Sequence, residues 1–159
     1  MQARRRRLVA VLGASAALAG LTGCEKPTPL VTLYSGNESI NDSAFSFCFE
    51  GQDRAKEPGT PGACRYDTGD GRQPKVLTVR PGDEVTVDVD KDLAEAGWFV
   101  ALRGAQGRSS RLATQSEHVT SFQPDFSESP TITVEVQKLE SPRDDAKAVG
   151  VWQFVIVPG

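Results

Sequence analysis

The stretch that decides the fold is KVLTVRPGDEVTVDVD, residues 75–90. Val76 in its first half, and Val85, Val87 and Val89 in its second, alternate with polar neighbours, which is the period of a half-buried β-strand. Between the halves stands Pro81-Gly82-Asp83, where Pro fixes φ and Gly admits a positive φ, so a turn is expected. The stretch therefore predicts a strand pair with one face in the core and the other in water.

Outside this stretch the chain continues as short runs of period two, interrupted by Gly, Pro, Asn and Asp. One helical turn is expected at 91–96. The remaining strands are predicted at 30–35, 44–50, 97–102, 118–122, 131–136 and 149–157. About seven or eight short strands without a long amphipathic helix favour an all-β, immunoglobulin-like β-sandwich. Trp98 and Trp152 are predicted to lie in its core.

The first 23 residues differ in composition from the remainder. They contain four of the 18 basic residues and none of the 21 acidic ones, so the rest carries 14 basic against 21 acidic residues, a formal charge of −7. This charge argues against nucleic-acid binding. Four arginines, an apolar run of about 14 residues and small residues before Cys24 are the layout of a secretory signal peptide. The predicted organisation is a cleaved signal at 1–23, a lipidated tether at 24–29 and one domain at 30–159.

Cys24 closes the sequence Leu21-Thr22-Gly23-Cys24, which resembles the lipobox of bacterial lipoproteins. The resemblance implies diacylglyceryl transfer to the Cys24 thiol and cleavage before it, with palmitate-type chains holding the protein on the outer face of the cytoplasmic membrane. Two or more acyl chains anchor firmly, whereas one binds reversibly. An ordinary signal peptide is the alternative, and the export route, general or twin-arginine, is left open.

Cys48 and Cys64 form an even pair once Cys24 is assigned to lipidation, and a disulfide is expected in an exported chain. It would close a loop of about 16 residues, which the chain-entropy account credits with roughly 3 kcal/mol. The enclosed segment is polar and rich in Gly and Pro. Metal binding by the two thiols is the weaker alternative, since His118 is the only other soft ligand and the spacing matches no zinc pattern.

Three features are candidate sites, each with an ordinary structural alternative. Arg103, Arg108 and Arg111 surround a Gly/Ser loop that could bind a ligand or partner, although a solubilising loop is favoured. Asp88 and Asp90 form an acidic face that could bind calcium weakly, although a solvated face is the usual explanation. His118, the only imidazole, would have to serve any Ser-His-Asp hydrolase, although a structural role is favoured. No cofactor is expected.

Several segments together resemble one family. They are CEKPTPLVT at 24–32, Cys48-Phe49, the Pro81-Gly82-Asp83 turn, Gly97-Trp98 and GVWQF at 150–154. The whole chain is similar to small lipoproteins of high-GC Gram-positive bacteria that are grouped as a domain of unknown function. The resemblance implies a lipid-anchored extracytoplasmic domain and supplies no catalytic residue.

The favoured function is a non-enzymatic binding or accessory module of the cell envelope, with the membrane and an envelope protein as partners. A calcium or small-ligand carrier using Asp88 and Asp90 is one alternative, and a hydrolase dependent on His118 is another.

Overall fold

The computed structural model describes residues 27–66, 71–104, 109–111, 117–141 and 146–159. Within these ranges the chain forms strands in two sheets and one short helix. The elements in chain order are β1 (Leu30–Ser35), β2 (Glu38–Ser43), β3 (Ser46–Phe47), β4 (Arg65–Tyr66), β5 (Lys75–Val79), β6 (Val85–Val89), α1 (Lys91–Ala96), β7 (Trp98–Arg103), β8 (Ser109–Arg111), β9 (Val119–Phe122), β10 (Ile132–Leu139) and β11 (Ala148–Pro158).

The strands form two sheets that face each other across one core. The smaller sheet has the order β2-β1-β6-β9, and the larger has the order β4-β3-β11-β10-β7-β8, with β5 joined to β11. Every pairing between strands is antiparallel except that of β5 with β11, which is parallel. The predicted all-β sandwich is confirmed. The strand number exceeds the prediction because β2 and the short strands β4 and β8, of two and three residues, were not predicted.

The core contains the inward residues of both sheets. Trp98, Trp152 and Phe154 of the larger sheet are inaccessible to solvent, as are Val31 and Leu33 of the smaller one. The two predicted core tryptophans are therefore confirmed. Along β11 the burial alternates strictly between Val149 and Val157, as its period of two predicts.

The predicted pairing within residues 75–90 is wrong. β5 joins β11 in the larger sheet, whereas β6 lies between β1 and β9 in the smaller sheet, so the Pro81-Gly82-Asp83 turn connects the two sheets. Alternation fixes which residues face the core but not which strand lies alongside. The buried residues of β5 are Leu77 and Val79, while Val76, predicted to face inward, is 55% exposed.

The region between β1 and β5 also differs from the prediction. A strand was expected at 44–50, but only Ser46–Phe47 is extended and paired, and the preceding β2 was not predicted. β2 has the sequence ESINDS, in which Ile40 is the only apolar residue. The Gly36-Asn37 pair could have indicated β2, because Gly-Asn between two strands is typical of a two-residue β-hairpin turn. Ser35 indeed pairs with Glu38 across it, with Gly36 at a φ of 58°.

Candidate functional site

The entry of the chain into the sandwich is defined by two hydrogen bonds. The backbone N–H of Ala44 donates to Oγ1 of Thr28 at 3.3 Å, and the indole Nε1 of Trp152 donates to the carbonyl of Pro29 at 3.0 Å. Cys24 itself lies outside the described residues. Among the described residues, the first contacts with the sandwich are made by Thr28 and Pro29, inside the segment 24–29 that was predicted to be a lipidated tether. In the sequence, residues 25–27 separate Cys24 from Thr28.

The register of the strands shows what surrounds this entry point. At the end of the sandwich where β1 starts lie the loop between Cys48 and Cys64, helix α1 and His118. At the opposite end lie the turn at 80–84 and the connection at 123–131. We call these the N-terminal end and the distal end.

Cys48 and Cys64 are joined by a disulfide, as predicted, with a Cα–Cα distance of 4.4 Å. Both thiols are consumed by this bond, so neither is a metal ligand. Inside the closed loop the N–H of Asp53 donates to the carbonyl of Gly62 at 2.8 Å, and Asp53 forms a bridge with Ala63. The disulfide and these backbone bonds together shape a segment whose side chains are mostly exposed.

An open depression of about 320 Å³ lies against the disulfide loop. Its wall includes Gln52, Thr60, Arg65 and Tyr66, together with Cys64. Nearby, the ammonium group of Lys56 donates a hydrogen bond to the carbonyl oxygen of Pro61 at 3.2 Å and so stabilises the loop. The side-chain oxygen Oε1 of Gln52 accepts a hydrogen bond from the backbone N–H of Phe49 at 2.8 Å. The sequence contained no signal for this depression beyond the turn residues of the loop.

The three predicted loop arginines are not seen together. Arg103 ends β7, and its guanidinium lies 3.5 Å from the carboxylate of Glu135 on β10. Glu135 is 6% exposed and also accepts from the side-chain amide of Gln137. Arg108 lies outside the described residues, and Arg111 is placed only by its backbone, which pairs with Ala101. Among the described groups, Arg103 acts as the ion-pair partner of a buried carboxylate.

The two acidic residues have different environments. Asp90 is the N-cap of α1, because its Oδ1 accepts the N–H of Leu93 at 3.1 Å. The predicted helical turn at 91–96 is confirmed, and this cap is its physical start signal. Asp88 is exposed on β6. In the part of the chain that the structure describes, no group of three His, Cys, Asp or Glu residues is placed to hold a metal ion.

His118 is exposed and makes a structural contact. Its Nδ1 lies 3.2 Å from the carbonyl oxygen of Val89, and its own carbonyl accepts the N–H of Val89 at 2.9 Å. A carbonyl can only accept, so Nδ1 carries the proton in this contact. The adjacent carbonyl of Glu117 accepts the indole N–H of Trp98 at 2.8 Å. The contacts of His118 with Val89 thus join the start of β9 to the end of β6. A hydrolytic role for His118 remains a prediction.

Comparison with protein families, with curated proteins and with solved structures found no match to this chain. The resemblance to a lipoprotein family therefore stays a prediction made from the motifs. No helix among the described residues has both the length and the apolar character needed to cross a membrane.

Proposed function

We propose that this chain is a lipid-anchored, extracytoplasmic binding module without catalytic activity, held by Cys24 on the outer face of the cytoplasmic membrane. The observation that carries the proposal is the Cys48–Cys64 disulfide. A disulfide persists in oxidising compartments and is rare in the cytosol. It also accounts for both cysteines of the domain, which leaves Cys24, within the Leu-Thr-Gly-Cys motif, as the residue available for acylation.

The entry contacts support a close attachment. With Thr28 and Pro29 bonded to the sandwich, the link from Cys24 is residues 25–27, and an extended chain spans at most about 3.6 Å per residue. The N-terminal end would then face the bilayer. The distal end and the outer faces of both sheets would remain open to the cell envelope.

The proposed lack of catalytic activity is supported by the surroundings of His118, the one imidazole of the sequence. In the described residues the ring of His118 contacts a backbone carbonyl, which supplies neither a nucleophile nor an orienting carboxylate. A rigid sandwich with exposed loops is, in contrast, a common framework for recognition.

The anchor is tested by growing cells that express the chain with an alkyne-labelled palmitate. The wild-type protein is expected to take up the label, to fractionate with membranes and to be digested by protease added to intact cells. Cys24→Ala is expected to lose the label, whereas the double variant Cys48→Ser/Cys64→Ser should keep it. Label that persists in Cys24→Ala, or protein protected inside intact cells, would contradict the proposal.

A further inference from the structure

The outward side of the smaller sheet forms one continuous surface. Tyr34 on β1 lies opposite Ser39 on β2 and Thr86 on β6, and Thr86 in turn lies opposite Ser121 on β9. Directly opposite residues of antiparallel strands project from the same face. The surface, which we call the hydroxyl face, consists of Leu30, Thr32, Tyr34, Ser39, Asn41, Ser43, Thr86, Asp88, Val119 and Ser121.

Burial shows that these side chains point away from the core. Val31 and Leu33, which alternate with them on β1, are inaccessible to solvent, and so are Val85 and Val87 on β6. Tyr34, in contrast, is 36% exposed. The face is therefore a surface that another molecule can reach.

The chemistry of the hydroxyl face is unusual for a protein surface. Asp88 is the only Asp, Glu, Lys or Arg among its ten residues, whereas a designed soluble surface carries about 25–35% charged residues. Two cations lie at its β2 edge: Arg72 donates to Oγ of Ser43 at 3.2 Å, and Lys75 donates to the carbonyl of Asn41 at 2.6 Å. Short Ser, Thr and Asn side chains lose less conformational freedom on binding than long charged ones. The hydroxyls of Thr86 and Ser121 are already 2.9 Å apart, so part of the surface is ordered before any ligand arrives.

Charge complementarity selects the class of ligand. The ten residues of the hydroxyl face carry one carboxylate, and the two cations at its β2 edge already donate to protein oxygens, so among the described residues the face offers no cluster of cations to phosphate groups, nucleic acid or anionic lipid. Protein interfaces are enriched in aromatic residues, Met and Arg and depleted in Ser, whereas this face has one aromatic residue, Tyr34, beside the exposed Leu30 and Val119, and three Ser. Serine and threonine hydroxyls donate and accept, Asp88 accepts, and the apolar body of the Tyr34 ring can pack on C–H groups. These properties match a neutral, polyhydroxylated molecule.

We propose that the hydroxyl face binds a neutral polysaccharide of the cell envelope, with Tyr34 packing on a sugar ring and Asp88 accepting from its hydroxyls. This inference rests on the proposed function, since it needs an extracytoplasmic domain. The outward side of the larger sheet offers a contrast, because its central Glu135 and Arg103 pair with each other. Val76 on that side is 55% exposed and provides a control position.

The test uses the full-length chain in detergent, applied to immobilised mannan, galactan, arabinan and α-glucan, with heparin as the anionic comparison. At physiological salt we expect retention on at least one neutral polymer and none on heparin. Tyr34→Ala should weaken that binding by about tenfold, and Asp88→Asn by a smaller factor, because one aromatic contact is worth more than one exposed hydrogen bond. Val76→Ala should bind as the wild type does.

Retention on none of the neutral polymers overturns the inference, and so does stronger retention on heparin. Binding that Tyr34→Ala and Asp88→Asn leave unchanged, or that Val76→Ala reduces equally, also overturns it. Ser39→Lys provides a second probe if Tyr34→Ala fails to fold, since it places a long cation on the exposed face without removing core contacts and should also abolish retention. The palmitate experiment decides the anchor separately, so a labelled protein that binds no glycan refutes this inference alone.

Discussion

The core between the two sheets and the loop between Cys48 and Cys64 differ in their exposure to water. In the core, Trp98, Trp152 and Phe154 are shielded from solvent, whereas in the loop every residue except Ala63 is at least partly exposed. The sandwich is stabilised by removing apolar area from water, at roughly 25 cal/mol per Å². The loop has little area to bury and is held by a covalent bond and a few backbone hydrogen bonds. One domain thus contains two regions whose shapes have different physical origins, and they should respond to different perturbations.

The largest effect is expected from a cavity in the sandwich. Phe154→Ala removes a fully buried ring from β11 and should lower the free energy of unfolding by about 3–5 kcal/mol. Urea denaturation followed by tryptophan fluorescence measures this loss. Val155→Ala, on the outward side of the same strand, is the control and should cost less than about 1 kcal/mol. Equal losses for the two variants would show that the alternation along β11 does not define the core.

Opening the loop should have the next largest effect. Cys48→Ser/Cys64→Ser releases a closure of 16 residues, which the chain-entropy account values at about 3 kcal/mol. Because the sandwich core is untouched, the variant should stay folded below its lower melting temperature. Limited proteolysis should cut it within residues 49–63 faster than it cuts the wild type. Unfolding of the whole domain at room temperature would mean that the loop is not a separate region.

Arg72 links the chain that follows the loop to the smaller sheet. Its guanidinium lies 2.9 Å from Oδ1 of Asp42, donates to the carbonyl of Ser43 at 2.8 Å and stacks 4.2 Å above the ring of Phe45. Arg72→Met should cost about 2 kcal/mol, because hydrogen bonds to a charged, mostly buried group are lost. The matched control is Lys91→Ala, which removes an exposed pair with Glu95 and should change stability by no more than about 0.5 kcal/mol. Thermal unfolding compares the two, and equal shifts would contradict the linking role of Arg72.

The smallest effect concerns a loop at the distal end that has no disulfide. The Ser127 hydroxyl, and then the Ser127 backbone N–H, hold the pKa of Asp125 below its ordinary value of 3.8. A carboxyl with a lowered folded pKa stabilises the fold above its unfolded pKa, and this contribution is lost as the pH falls through the folded value. Ser127→Ala should therefore raise the pKa of Asp125 in an NMR titration. Ser39→Ala should leave it unchanged, and a downward shift in Ser127→Ala would refute the hydrogen-bond explanation.

Local patterns predicted the elements that depend on local chemistry. The disulfide followed from counting cysteines, and α1 lay where the sequence after Asp90 suggested one turn. The period of two located β6, β10 and β11 to within a few residues. β2 was missed because an edge strand with one side in water needs few apolar residues, so Ile40 alone carries its signal.

The candidate surface could not be predicted in the same way. The hydroxyl face draws residues from β1, β2, β6 and β9, which lie far apart along the chain. In any one of these strands, Ser, Thr or Asn residues at alternate positions indicate only that one side of the strand faces solvent. Only the registers that place Tyr34 between Ser39 and Thr86 show that these residues form one surface.

The sequence by itself determined the all-β class, the buried tryptophans and the Cys48–Cys64 bond, because periodicity, bulk and cysteine count act over a few residues or through a single covalent pair. Only the tertiary structure decided that β5 and β6, adjacent in sequence, belong to different sheets. Leu77 and Val87 each need an apolar environment, and that need is met whether their strands are neighbours or face each other across the core. The hydrophobic effect sets which side of a strand is buried, and the packing of the whole chain sets the neighbour.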